Sequence, residues 1–202
     1  MAKLGVIGCV GVLVLVLLLG VWGIAAYNGL VTLDQEVQGQ WAQVENVYQR
    51  RADLVPNLVE TVKGAAAFEK DTFTAVAEAR SRVGQVSGGA LQNVPNDPQA
   101  FQKFQEAQAG LSSALSRLMV VVEKYPELKA TQNFLGLQSQ LESTENRIAV
   151  ERMRFNDKAR AFNTKRMSFP TVLMAGFFGS RFNEKLYFKA AEGAEKAPQV
   201  KF

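Results

Sequence analysis

Residues 98–125 read PQAFQKFQEAQAGLSSALSRLMVVVEKY, and their periodicity decides the fold class. Phe101, Phe104, Gln108, Leu111, Leu115, Leu118, Val122 and Tyr125 recur in steps of three and four. That is the rhythm of a helix burying one seam against other helices. Asp97-Pro98 supplies a start, a cap followed by proline in the first turn, and Pro126 supplies a stop. The spacing predicts a helix over 98–125.

The same period extends in both directions, and no alternating run marks a strand. Leu30, Leu33, Val37, Trp41, Val44, Tyr48, Val55, Leu58 and Val62 form one stripe on a first helix running to about Gly64. Pro56 interrupts it. Proline removes one backbone donor and crowds the carbonyl four residues earlier, that of Ala52, so a local kink is expected. Asn57 follows at once and is the candidate to satisfy a polar group freed there. A second helix over 71–86, capped by Asp71, places Phe73, Val76, Ala77, Arg80 and Val83 on one side. The competing topology is one unbroken helix over 30–86, which Ala65-Ala66-Ala67 would permit. Ser87-Gly88-Gly89 and Asn93-Val94-Pro95-Asn96-Asp97-Pro98 form a loop. A last helix over 127–167 carries Phe134, Leu137, Leu141, Thr144, Ile148, Phe155 and Phe162, and Pro170 closes it. Four such stripes need one another for burial, which predicts an elongated up-and-down four-helix bundle over residues 28–189. Residues 190–202 read as a disordered tail.

Residues 4–26 contain no charged side chain. At ~1.5 Å per residue a helix of that length spans roughly 35 Å, enough to cross the hydrocarbon core of a bilayer. A cleaved signal would have an apolar region of only about 7–15 residues, and Ile24-Ala25-Ala26 is a poor cleavage site, so residues 1–27 read as an uncleaved transmembrane anchor. Val6-Ile7-Gly8-Cys9 looks like an acylation box, but there the apolar stretch should precede the cysteine, whereas here it follows. Lys3 precedes the span, while Asp34 and Glu36 follow it and no Lys or Arg comes before Arg50. The positive-inside rule then puts the N-terminus in the cytoplasm and the bundle outside.

The chain has no histidine. Imidazole zinc sites, Ser-His and Cys-His dyads and an unshifted near-neutral proton shuttle are thereby excluded. Asp53, Glu60, Glu142, Glu145 and Glu151 are the candidates for paired carboxylates, yet Arg50, Arg51, Arg147 and Arg152 lie near enough in sequence to neutralise them. Arg147 and Glu151 have the four-residue spacing of helical neighbours. Equal distances from the far end of the bundle bring Arg51 within reach of Glu142 and the Pro56 region beside Asn133. Gln108, Asn133 and Thr144, polar groups on or beside the seams, read as register-setting residues rather than a ligand cavity. The basic run over 147–166 carries Arg147, Arg152, Arg154, Lys158, Arg160, Lys165 and Arg166. It reads as a solvated face or a headgroup contact, not a nucleic-acid surface, because no aromatic or glycine-rich reading motif accompanies it. No catalytic, cofactor-binding or metal-binding residue is assigned, and no cofactor.

Several ordered strings resemble the LemA family. They are Tyr27-Asn28-Gly29-Leu30-Val31, Trp41-Ala42-Gln43-Val44-Glu45-Asn46 and Arg51-Ala52-Asp53-Leu54-Val55-Pro56-Asn57-Leu58-Val59. Tyr125-Pro126-Glu127-Leu128-Lys129-Ala130, Asn133-Phe134 and Leu141-Glu142-Ser143-Thr144-Glu145-Asn146-Arg147-Ile148 continue the resemblance, as do Arg152, Asn156, Asn163, Phe169 and Pro170. The resemblance implies a bacterial membrane protein with one N-terminal anchor and a four-helix bundle, and it supplies no reaction. Phe68-Glu69 stands where the family usually carries His-Glu, which removes any role of that imidazole here.

The expectation is a non-enzymatic, single-pass protein of the bacterial cytoplasmic membrane. It would self-associate as a homo-oligomer and organise other envelope proteins or the bilayer, with membrane lipid as a partner. The alternative is a receptor-like module for a peptide or small molecule. By length, the last helix descends to the level where the chain leaves the bilayer, so the apolar stretch over 169–178 is expected at the membrane surface.

Overall fold

The computed structural model describes residues 2–64, 66, 68–87 and 94–189, so the expected tail over 190–202 and the glycines of the Ser87 loop lie outside the described residues. Six α-helices follow in order: α1 (Ala2–Lys63), α2 (Lys70–Val86), α3 (Pro98–Glu123), α4 (Pro126–Lys129), α5 (Gln132–Met167) and α6 (Thr171–Phe177). Short 3-10 turns sit at Val94–Asn96 and Gly179–Phe182. No strand occurs among the described residues. The four long helices run up and down, α1 packing chiefly on α5 and α2 chiefly on α3.

The α1–α5 pair is held in register by a ladder of polar contacts. Gln40 Nε2 donates to Glu151 at 2.6 Å, Lys158 pairs with Glu36 at 2.8 Å, and Arg51 pairs with Glu145 at 2.9 Å. Arg51 therefore meets Glu145 rather than the expected Glu142, one helical turn nearer the N-terminal end of the molecule. Glu142 instead accepts a bond from Gln138 on its own helix.

Local chemistry explains most helix ends. The Asp97 carboxylate accepts from Gln99 N and Ala100 N with Pro98 in the first turn, as the Asp-Pro pair predicts. Asp71 is not a cap: Glu69 occupies that position without a side-chain cap bond, and Asp71 sits in the first turn. There its carboxylate still opposes the positive end of the helix dipole. The face of α2 that is buried comprises Phe73, Val76, Ala79 and Val83, so Ala77 and Arg80 stand outside it. The expected last helix is two helices. The chain turns at Ala130-Thr131, where Thr131 Oγ1 accepts from Phe134 N and donates to Leu128 O. That short turn buries Leu128 in the core. The break near Gly64 is also real: α1 ends at Lys63 and α2 starts at Lys70, which rules out the single helix over 30–86.

Pro56 lies inside α1 without ending it. The carbonyl that its missing N–H leaves free, Ala52 O, accepts from Arg80 Nε at 3.1 Å. Arg80 reaches across from α2, while Asn57 is exposed and does not serve. The proline thus creates a docking point for the neighbouring helix.

The core divides into two clusters. The far one joins Val55, Leu58 and Val62 of α1 with Phe73, Val76 and Val83 of α2, Leu111, Leu115 and Leu118 of α3, and Phe134 of α5. The near one joins Leu30, Val37, Trp41 and Val44 with Phe101, Phe104, Phe155 and Phe162, and contains nothing fully buried from α2. With 17 residues against the 26 of α3, α2 ends before reaching this half. The space is filled by an extended strap, residues 183–189, which contributes Phe188, while the turn before it contributes Phe182. The strap has no strand partner, and two side-chain amides on α5 take that role. Asn163 donates to Lys185 O and accepts from Lys185 N, and two turns earlier Asn156 does the same for Phe188. Lys185 is buried, bonds Asp34 of α1 and Asn96 before α3, and lies 4.5 Å over the Phe162 ring.

Arg80→Ala is expected to destabilise the protein by about 1–2 kcal/mol, because a buried carbonyl loses its donor. In a Pro56→Ala background the restored backbone N–H takes that carbonyl, and the cost of Arg80→Ala should fall below about 0.5 kcal/mol. Chemical denaturation of the four proteins of this cycle measures the coupling.

Candidate functional site

Between the two apolar clusters lies a layer of polar side chains drawn from three helices, α1, α3 and α5. Arg51 on α1 is 2% exposed. Its Nη1 donates to Glu145 Oε1 at 2.9 Å and Ser112 Oγ at 2.8 Å. Its Nη2 donates to Gln108 Oε1 at 2.6 Å and Gln108 O at 3.1 Å. Only a guanidinium carries enough fixed donors to bind a carboxylate, a hydroxyl and an amide at once. Thr144, also buried, returns its hydroxyl to Gln140 O on its own helix. Glu145 is 45% exposed, so the carboxylate keeps part of its hydration while neutralising the buried cation. Two buried donors, Arg51 Nε and Gln108 Nε2, have no hydrogen-bond partner among the described residues.

A cleft of about 410 Å³ opens beside the layer, lined by Tyr48, Gln108, Ser112, Arg152 and Phe188 among others. Arg152 stacks 4.8 Å over the Phe188 ring and donates to Lys189 O, which pins the strap to the cleft wall. Tyr48 lies under the Arg51 guanidinium at 5.1 Å. Burial raises its phenol above the ordinary value, and the positive charges of Arg152 and Arg51 partly offset that rise. Below the cleft, the Trp41 ring meets Phe104 at 5.0 Å and Phe155 at 5.5 Å, edge to face. Glu45, one turn along, is half-buried beside it. Burial raises its carboxyl above the usual range, opposed by a hydrogen bond from Trp41.

Of the five candidate carboxylates, each engages a separate partner. Asp53 accepts from Gln49, Glu60 pairs with Lys63, Glu142 accepts from Gln138, Glu145 binds Arg51, and Glu151 binds Gln40 and Arg154. The expected Arg147–Glu151 pair is replaced by Arg154–Glu151, since Arg154 lies one turn on the other side of Glu151 at 2.8 Å. Among the seam candidates, Gln108 and Thr144 join the buried layer, whereas Asn133 is exposed. The basic run is largely engaged by the protein itself: Lys158 by Glu36, Arg160 by Asp157, Arg166 by Phe182 O, and Arg152 by the strap. Phe68, in place of the family's histidine, stands 94% exposed at the far tip beside Glu69, which pairs with Lys124. Sequence reading missed Arg51 as a buried residue. The signal was a gap: the first stripe jumps from Tyr48 to Val55, and Arg51 and Ala52 fall between them.

The first helix carries, at its N-terminal part, the one stretch among the described residues that is long and apolar enough to cross a membrane. With the polar layer and the bundle above it, this defines the class: a membrane-associated, all-α protein built on a single long helix. The chain belongs to the LemA family, whose model matches residues 40–202. It is 28% identical over 179 residues to the magnetosome protein MamQ of Magnetospirillum gryphiswaldense, covering 82% of this chain and 66% of that protein. It is likewise 28% identical over 186 residues to magnetosome protein MamQ 2 of Paramagnetospirillum magneticum, covering 85% of this chain and 65% of that protein. Protein LemA of Metamycoplasma hominis is 22% identical over 148 residues, covering 73% of this chain and 63% of that protein. The chain thus spans slightly under two thirds of the length of the curated relatives it matches.

Arg51→Met should destabilise the protein by about 2–4 kcal/mol, since Gln108 loses its partner inside the core while Glu145 can turn to water. Adding Gln108→Leu should recover at least about half of that loss, because the polar layer is then replaced by apolar packing. Urea titration of the single and double variants checks both. Glu45→Gln tests the buried carboxyl. A raised folded-state value favours the protonated form, so its contribution to stability is present below the ordinary value of 4.5 and is lost as pH rises through the folded value. Glu45→Gln should therefore melt higher than the parent at neutral pH. The difference should close as pH falls below 4.5, as read by thermal denaturation across pH.

Proposed function

We propose that this protein is a non-enzymatic, membrane-anchored scaffold that self-associates and organises envelope proteins or the bilayer. The observation that carries this reading is α1. Its 62 residues run without a break from the apolar N-terminal run to the far tip of the bundle, about 93 Å at ~1.5 Å per residue. A receptor tethered for capture works well on a flexible linker. A scaffold needs the angle between membrane and bundle to be held, and a continuous helix packed on α5 holds it. The engaged side chains also support a structural reading, since the five candidate carboxylates bind local partners rather than one another. The name of the MamQ relatives, magnetosome protein, is consistent with a role in a larger assembly.

In this reading the span sits in the cytoplasmic membrane of a bacterium, with the N-terminus inside and the bundle outside, on the charge argument of Lys3 against Asp34 and Glu36. The alternative, a module binding a peptide or small molecule, draws on the cleft beside the polar layer. There Arg152 and Lys189 with Arg51 outnumber the single acid Glu145, which would favour an anionic ligand.

Size-exclusion chromatography with light scattering on the detergent-purified full chain separates the two. A discrete assembly of several copies is the expected result. A monomer whose melting temperature rises with anionic small molecules or peptides would favour the receptor instead.

A further inference from the structure

The apolar face of α6 has no protein partner among the described residues, and its position says what covers it. One side of this helix packs inward: Thr171 and Ala175 are buried, and Met174 reaches Gly23 of α1, where a Cβ would stand 3.6 Å from the Met174 Cε. The other side is also apolar. Leu173 is 64% exposed and Phe177 83%, at the four-residue spacing that aligns them on one face, and Phe169, in the turn before the helix, is 81% exposed. Val172 and Met167 widen the patch. A bundle end facing water would carry polar groups here. Two apolar faces on one short helix imply two apolar surroundings, protein on one side and something else on the other.

The location relative to the span identifies the second surrounding. Over its last turns the apolar run is bare at Val21 and Ile24, but Trp22 and Gly23 are half-covered and Ala26 is buried. The α6 contact at Gly23 thus lies within the uncharged run, four residues or ~6 Å below Tyr27 along the helix. That is the depth of an interfacial helix, about 5–10 Å below the headgroup boundary. Just above it comes a ring of the groups that membranes favour at that boundary. Tyr27 meets Phe178 in a tilted ring contact at 4.9 Å, Arg181 lies 5.8 Å over the Tyr27 ring, and the Lys165 chain runs along Gly29.

We propose that α6 is a lipid-immersed foot: Phe169, Leu173 and Phe177 enter the hydrocarbon edge of the same leaflet that the anchor leaves, while Arg181 and Lys165 meet anionic headgroups. The bundle is then fixed to the membrane at two points, the span and the foot, which sets its rotation about α1 as well as its depth. This rests on the span reading above but not on self-association.

The test uses the full chain in nanodiscs of phosphatidylethanolamine and phosphatidylglycerol. In a Cys9→Ala background, a polarity-sensitive fluorophore is attached through Phe177→Cys, Ile24→Cys in the span, or Thr72→Cys at the far tip. The label at 177 should be quenched by lipids carrying a shallow nitroxide at least about threefold more than the label at 72, and should resist aqueous iodide as the label at 24 does. Free access of iodide at 177 with a lipid-quenched label at 24 overturns the foot and leaves the span intact. Protection at 177 from both quenchers means that protein covers the face, and it overturns the proposal as well. Iodide access at both 24 and 177 defeats the span reading and the foot together. Circular dichroism of each labelled variant confirms that the helices are unchanged.

Discussion

A single buried guanidinium organises the bundle. Arg51 cannot be left unpaired in the core, because an isolated buried cation costs several kcal/mol. It is satisfied only when Gln108 and Ser112 of α3 and Glu145 of α5 stand at its height. A slide of α3 or α5 by one turn would strand the charge, whereas the leucines above and phenylalanines below would tolerate such a slide far better. The polar layer therefore selects one register among several of similar apolar burial. It also separates the far cluster, where the four long helices share the core, from the near cluster, where three long helices and a strap do.

The strap is the consequence of unequal helices. With α2 ending before the near half, Trp41, Phe101 and Phe155 would face water on one side. An extended segment fills the gap, but its backbone groups need partners that no sheet provides. Asn156 and Asn163 supply them in donor-acceptor pairs, so each amide does for the strap what a neighbouring strand would do. Lys185 then ties strap, α1 and the turn before α3 into one unit through Asp34 and Asn96. The near half is thus held by polar bonds around an aromatic core, and the far half by aliphatic packing.

These two halves are strung on one helix that continues into the apolar run. Because α1 is continuous and its bundle part is packed on α5, movement of the bundle relative to the span requires bending a helix rather than swinging a linker. Pro56, the one residue that would soften α1, is stiffened from outside by Arg80 on its free carbonyl. The mechanical character of the molecule, a rigid mast with a broad apolar base, follows from these contacts and underlies the scaffold reading.

Read alone, the sequence determined the helical class, the seam over Phe101 to Val122, the Asp97 cap, the apolar span and the antiparallel pairing of the first and last long helices. All of these are written in local periods and caps, which need no knowledge of a partner. Of the polar layer, only Gln108 and Thr144 were legible, as interruptions of apolar stripes; Arg51 fell in the gap between Tyr48 and Val55. Their meeting at one height was not, since it depends on the register of helices whose residues lie about 60 to 90 positions apart. Tertiary structure alone decided that Arg51 takes Glu145 over Glu142, that Arg80 completes the Pro56 turn, and that the last helix breaks at Thr131. It also decided the strap. Phe182, Lys185 and Phe188 are buried at a spacing of three, and Asn183 has φ −62° and ψ 153°, a polyproline-like backbone. That period is neither helix nor strand. A segment whose backbone hydrogen bonds end mostly on side chains of a distant helix, with one from Leu186 N to Pro95 O, leaves no periodic trace in its own residues.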